Sequence, residues 1–502
     1  MPNLLGLSSE DGDGLNPICS APMTSPGLKA PPLSCFDPHA FVSDIEARLR
    51  RCRPKALAAR PHRILSISLN TPELAAAGAH TVRRGDLYWS QPARQELRLG
   101  LGEAWSSYAD GRHRLAFLDA AFHDLRQEWL AYSPDGPTPG PGVFAGFAFD
   151  PSDRMRGPWT GLPNALLRVP EVLLERRGAA CWLTFSTVVD GKRDPERWYG
   201  GWLRHTERLA GRILDAPAIP WPGQPPLSWE YIDHANTEAE WSQHVDQALA
   251  AIAGADLRKL VLTRRVQIRT SRAVSPGHLL AQLEARNPDC IHFAVPLAHR
   301  TLIGATPERL ICVQHGTAVA DAIASTEPRE RPPAAAGRGT AKLFANGKAR
   351  HEHELVVRAI AEALEPISTE LVIPEHPRLM TLATVHHLWS PIRATLRGNV
   401  TPLAAAERLH PTPAVGGTPQ RAAAAWLRAH NERDRGWYTG ALGWLAPQNG
   451  GELAVALRCG LIDEREALLF AGAGIVEGSD ALQEYHETQW KLQSMLEAIA
   501  HA

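Results

Sequence analysis

Near its C-terminal end the chain carries Glu484, Glu487 and Lys491. On an α-helix the steps of three and four residues put these side chains on one face. Two carboxylates one turn apart can hold a hard, oxygen-seeking cation such as magnesium, and the lysine adds positive charge for an anionic ligand. Upstream runs LLFAGAGIVEGSD, residues 468–480. Its apolar start reads as a buried strand, Gly472-Ala473-Gly474 as a turn baring backbone N–H groups, and Ser479 or Asp480 as a helix N-cap. A strand, a glycine turn and an acidic helical face together suit binding of an anion through a divalent cation. The same pattern also fits an ordinary strand–turn–helix with a solvated acidic face, so the rest of the sequence must decide.

Two further positions are chemically suggestive. Glu352 opens the helical pattern HEHELVVRAIAEALEPI, one turn before the buried stripe that starts at Leu355 and Val356. A carboxylate on that packed side is costly unless paired or metal-bound, although a glutamate in a first helical turn is also favoured by the helix dipole. Lys259 opens the strand pattern KLVLTR, with Leu260 and Leu262 on one face and Lys259, Val261 and Thr263 on the other. A lysine there ordinarily reaches for solvent.

The chain that must position these groups has 502 residues, 44% hydrophobic and 21% charged, with a formal net charge of −1. That composition suits a folded protein with a sizeable core, and no global field recruits nucleic acid or a membrane surface. Seven dispersed cysteines without a CxxC pair suggest reduced thiols in a cytoplasmic protein. No apolar run approaches the ~18 residues that span a bilayer, and MPNLLGLSSEDGDG lacks the pattern of a secretory signal.

Residues 1–36 read as a disordered or loosely attached arm. Beyond it, Phe41 to Arg50 reads as helix, and Ile64 to Leu69, Leu87 to Trp89, Phe144 to Phe149 and Cys181 to Val189 as strands. The Pro-rich stretch 215–229 is an irregular connection within one large domain. Glu238 to Ala253 has helical spacing; Ile291 to Val295 and Thr301 to Gly304 form a hairpin leading to the loop 305–308; Leu310 to Val313 and Ala318 to Ala324 are strands. The charged, Pro- and Gly-rich sequence up to Ala349 reads as a mobile loop. Without βαβ regularity, a GxGxxG or a P-loop, this points to antiparallel sheets covered by helices.

In this order, KLVLTR (259–264), GATPERL (304–310), AIAST (322–326), KARHEHELVV (348–357), VHHL (385–388), LHPTPAVGG (409–417), RGWYTGALGW (435–444), ELAVALR (452–458) and AGAGIVEGSDALQEYHETQWKL (471–492) resemble the chorismate-utilising enzymes. These comprise isochorismate synthase, salicylate synthase and the large subunits of anthranilate and aminodeoxychorismate synthase. LYWSQP (87–92) and FAGFAFD (144–150) extend the resemblance into the N-terminal half. Lys259 stands where members that use water carry a base and anthranilate synthases carry glutamine. Ala324 stands where aminodeoxychorismate synthases carry a nucleophilic lysine. Together with the segment 410–416, these make the chain most similar to isochorismate synthases, with salicylate synthase the alternative. An anthranilate synthase component or a decayed chorismate-binding protein fits less well.

The resemblance implies an α/β (α+β) fold, a sandwich of two stacked, mainly antiparallel sheets with helices outside. Residues 37–230 would form its N-terminal half and 231–502 the chorismate-binding catalytic region. It implies water attack at C2 of chorismate with loss of the C4 hydroxyl, Lys259 as base and Glu308 as acid. Mg2+ would sit on Glu352, Glu484 and Glu487, while Arg458, Tyr438, Gly472, Gly474, Thr326, Thr412, His387 and Lys491 would bind substrate; His387 fits a hydrogen-bonded core histidine equally well. No nucleic acid, membrane or glutamine amidotransferase partner is expected. Two residues depart from the family pattern: Ser325 replaces the usual glycine, where it could crowd the ring or change a turn, and Ala349 replaces an acidic residue.

Overall fold

Strands whose two faces are both buried dominate the chain, and the reason is visible in their sequences. Ile64–Asn70, Leu87–Gln91, Val143–Phe147 and Ile291–Leu297 carry apolar or small side chains on both sides of the pleat. In the computed structural model, residues 36–57, 63–189, 195–214, 226–233, 237–254, 256–328, 343–382, 385–430 and 434–502 are described. Within them the strands form one sheet of 13 and one of 10. All ladders are antiparallel except the pairing of Ile64–Asn70 with Trp129–Tyr132.

The two sheets stack face to face. Alternation along Val143–Phe147 shows how: Phe144 joins Trp89, Phe293, Leu442 and Trp444 in a layer drawn from both sheets, whereas Phe147 joins a different cluster with Phe122, Ile360 and Leu403. The second cluster lies under the helices Arg114–Gln127, Gly347–Leu364 and Pro402–Leu409. On the outer face of the larger sheet, Leu49, Trp202, Leu283 and Ile499 bring down the helices Pro38–Leu57, Pro195–Leu214, Pro276–Arg286 and Ala481–Ala500. The expected sandwich is therefore the observed fold.

Both sheets run through both halves of the sequence. In the larger, Phe293 pairs with Trp89, and in the smaller, Gly443 pairs with Ala145. The N-terminal arm lies outside the described residues apart from Phe36, as do residues 215–225 of the Pro-rich stretch and 329–342 of the expected mobile loop.

Three expectations need correction. Gly472-Ala473-Gly474 is not a turn: the strand Glu466–Val476 runs straight through it, with Gly472 opposite Thr263 and Gly474 opposite Val261, and the chain turns only at Gly478. Glycine suggested a turn, but here backbone pairing with Lys259–Thr270 outweighs its weak strand propensity. Glu352 does not open its helix, which begins at Gly347 with the Asn346 side chain capping Ala349 N–H, so the first-turn dipole argument lapses. Cys312, buried in Arg309–Gln314, is disulfide-bonded, whereas Cys52, Cys181, Cys290 and Cys459 are free thiols; a dispersed count could not exclude one pair.

The layer between the sheets leaves no spare volume at Gly146, where an added Cβ would come within 2.5 Å of the Trp437 indole. Gly146→Ala is expected to cost about 1–3 kcal/mol of stability. Its denaturation midpoint should fall; an unchanged midpoint would show that the indole moves freely.

Candidate active site

One cavity gathers side chains from distant parts of the chain. Lys259 comes from the strand Lys259–Thr270, Glu308 from the turn before Arg309–Gln314, and Glu352 from the helix Gly347–Leu364. Glu484, Glu487 and Lys491 project into it from the C-terminal helix Ala481–Ala500, capped at Gln483 N–H by Asp480. His387, Tyr438, Arg458, Gly472 and Gly474 stand in its wall. Thr412 is buried beside Glu308, and Thr326 lies in the strand Thr317–Pro328.

Lys259 does not reach solvent. It is 1% exposed, and its Nζ lies 2.8 Å from Oε1 of Glu352. The Glu352 Oε2 accepts a 2.6 Å hydrogen bond from the Ser325 hydroxyl, which also lies 3.0 Å from the Ala349 carbonyl. Burial opposes ionisation of Glu352, yet the Lys259 ammonium and the Ser325 hydroxyl hold it below the usual carboxylate range. Ser325 itself lines the cavity. It sits at a β-bulge between Ala324 and Thr326 with φ +61°, and its carbonyl accepts a 2.8 Å hydrogen bond from His387 Nδ1. Burial pushes His387 down to about 3, so its ring is neutral and Nδ1–H can donate. His387 is thus both a cavity-wall residue and a hydrogen-bonded histidine.

The strands and the side chains above them approach closely here. A Cβ at Gly474 would lie 2.8 Å from the Glu352 carboxylate and 2.9 Å from Lys259 Cε, and one at Gly472 would meet the Leu262 carbonyl at 2.9 Å. The Gly472 carbonyl accepts from Lys491 Nζ at 2.7 Å. Ser325, Thr439 and Arg458 all have positive φ and all line the cavity. Non-glycine residues in that region cost about 1–3 kcal/mol each and persist where packing enforces them, typically at functional sites.

Glu308 is 5% exposed, with its amide donating to Thr306 Oγ1 and its carbonyl accepting from Val455. Burial pushes its carboxyl up to about 8, against the influence of Lys259 and Lys491 and with that of Asp321. The cavity thus holds a protonated carboxylic acid and a lysine, the two partners that acid–base chemistry needs.

The three expected metal carboxylates each have a lysine: Glu352 has Lys259, Glu487 has Lys491 at 2.6 Å, and Glu484 has Lys348 at 3.1 Å. Among the described residues no three of them converge at metal-binding distance. Their chemistry nevertheless fits a hard cation. Burial, and after it the charge of Glu487, push Glu484 up, the strain of like charges that a divalent ion relieves. Lys348 lies in the charged stretch that the sequence alone reads as a mobile loop, and its partner is 136 residues away. Arg458 is the opposite case, a guanidinium buried against the cavity without an ion pair among the described residues. Burial pulls it below the ordinary range, and an anionic ligand would supply the missing charge. Tyr438, stacked on Phe470 with centroids 5.1 Å apart, stands in the same wall.

A family described as chorismate binding enzyme matches residues 50–500. The chain is 33% identical over 414 residues to the salicylate biosynthesis isochorismate synthase of Pseudomonas aeruginosa, covering 82% of this chain and 84% of that protein. It is 30% identical to isochorismate synthase MenF of Bacillus subtilis, covering 84% and 89%. Among solved structures, the menaquinone-specific isochorismate synthase MenF of Escherichia coli superposes with a TM-score of 0.71 at 24% identity, covering 91% and 100%; at that identity the likeness concerns the fold.

Gly474→Ala is expected to push Lys259 and Glu352 apart and lower turnover at least ~10-fold while the circular dichroism spectrum stays native. Turnover equal to the parent would mean that the pair tolerates displacement.

Proposed function

This chain belongs to the chorismate-binding enzyme family, and on that premise we propose that it is an isochorismate synthase. The observation that carries the reading is the pairing, in one cavity, of Lys259 with a Glu308 that keeps its proton until about pH 8. Conversion of chorismate to isochorismate adds water at C2 and expels the C4 hydroxyl. Lys259 takes the proton of the attacking water, and Glu308 delivers one to the departing oxygen. The ring double bonds shift between the two centres, and no net water is consumed.

To accept a proton Lys259 must first give up its own, and its Nζ rests 2.8 Å from Glu352 Oε1. Engagement of Glu352 by other charge in the loaded site would release Lys259 for that role. Mg2+, when bound by Glu484 and Glu487 with Glu352 alongside, would supply the charge that neutralises the ring carboxylate. Arg458 and Tyr438 would take the enolpyruvyl carboxylate, the guanidinium offering two parallel donors. Gly472 and Gly474 would admit the ligand by lacking side chains, with Lys491, His387, Thr326 and Thr412 around it. In the same reading, residues 231–502 supply the catalytic groups, the enzyme acts without an amidotransferase subunit, and its location is cytoplasmic. Among the described residues no helix is long and apolar enough to cross a membrane.

A fluorescence assay for salicylate with chorismate and Mg2+ tests the product. Signal is expected only when isochorismate-pyruvate lyase is added; signal without it would make this protein a salicylate synthase. The pH profile tests the acid. Because Glu308 works protonated and its pKa is raised, the alkaline limb of kcat/KM should lie near pH 8, activity falling as pH rises through that value. Glu308→Gln should lose roughly 100-fold or more in kcat. Near-parental turnover of that variant would remove Glu308 from the mechanism.

A further inference from the structure

The residue after Glu308 anchors a second charge cluster. Arg309 Nε donates to Glu452 Oε1 at 2.7 Å, and its Nη1 lies 3.4 Å from Asp321 Oδ2. The remaining oxygens of both acids are also held. Asp321 Oδ1 accepts from the Trp389 indole at 2.9 Å, and Glu452 Oε2 from the Gln91 amide at 2.6 Å. Arg94 approaches Glu452 as well, at 3.7 Å. Glu452 therefore has two guanidinium neighbours, while Asp321 has the longer contact to one, and its charge is the less fully compensated.

Asp321 lies in Thr317–Pro328, where successive side chains face opposite ways. Ala318, Ala320 and Ala322 pack toward the covering helices. That leaves Asp321, 7% exposed, on the face of Ile323 and Ser325, which line the cavity. A fixed negative charge thus stands one strand step from the cavity wall, bound to the immediate neighbour of Glu308.

We propose that Asp321 is a positioning residue for Glu308: through its contact with Arg309 it fixes the turn that carries the acid. The inference rests on the reading of Glu308 as the acid. Other groups act on Glu308 from the elements around it. Lys259 from its strand and Lys491 from the C-terminal helix favour the anion, as does the Thr412 hydroxyl, while burial and Asp321 favour the protonated form. Removal of the Asp321 charge leaves the cations less opposed.

Two measurements on the full chain separate the possibilities. The first compares kcat/KM across pH for the parent, Asp321→Asn and Asp321→Glu. The second follows the Glu308 carboxyl band by infrared titration, assigned with Glu308→Gln. Asp321→Asn keeps an acceptor for Trp389 and should move the alkaline limb down by about 1 unit. It then loses about tenfold more activity near pH 9 than near pH 6, and its carboxyl band disappears at correspondingly lower pH. Asp321→Glu, which restores the charge, should return the limb toward the parent. An unshifted band, or an equal loss at every pH, would reduce Asp321 to a structural role and overturn the inference. A shifted band with an unmoved kinetic limb would uphold the effect of Asp321 and refute Glu308 as the acid.

Discussion

A lysine sealed from water needs a carboxylate within reach, and the Lys259–Glu352 pair imposes that requirement on everything around it. Removing one partner of a buried pair costs about 3–5 kcal/mol, because the other charge is left alone. The strand bearing Lys259 must therefore lie beside the helix bearing Glu352, with Gly474 between them, where an added Cβ would displace the ends of both side chains. Ser325 and His387 complete the support: the serine holds the second carboxylate oxygen, and the histidine holds the serine's carbonyl at the bulge. Positive φ at Ser325 is a local cost that this arrangement offsets.

The remaining charges follow the same logic of pairing, with two exceptions that mark the chemistry. Three lysines neutralise three carboxylates. Glu308 escapes the need for a counter-charge by keeping its proton. Arg458 keeps its charge without an ion pair among the described residues. An acid that stays neutral and a cation that stays unpaired are costly in a resting protein. Under the proposed function, both would become favourable once a substrate with carboxylates and a leaving hydroxyl entered.

Much of the fold was legible because burial leaves a periodic trace. Helix Glu238–Ala253 has the bounds that its apolar spacing predicts, and the hairpin Ile291–Leu297 with Arg300–Thr306 matches its two apolar runs. Where the trace was read wrongly, a local preference competed with tertiary pairing. Gly472 and Gly474 look like a turn in isolation but lie mid-strand, since their lack of a side chain answers Glu352, Lys259 and the Leu262 carbonyl. The Glu352 helix starts earlier than its apolar pattern predicts, because Gly347 and Lys348 carry no apolar signal while the Asn346 cap does the initiating.

By itself the sequence determined which chemical groups are available: the acid, the lysine, the carboxylates one turn apart, and strands and helices enough for a two-sheet sandwich. Residue type and short-range spacing specify these, and they survive in a linear string. Tertiary structure alone decided their states and partners. That Glu308 is neutral, that Glu352 is shared by Lys259 and Ser325, and that Lys348 faces Glu484 depend on burial and on contacts between residues far apart in the chain. Burial and such contacts set local dielectric and charge, and neither is encoded in any one segment.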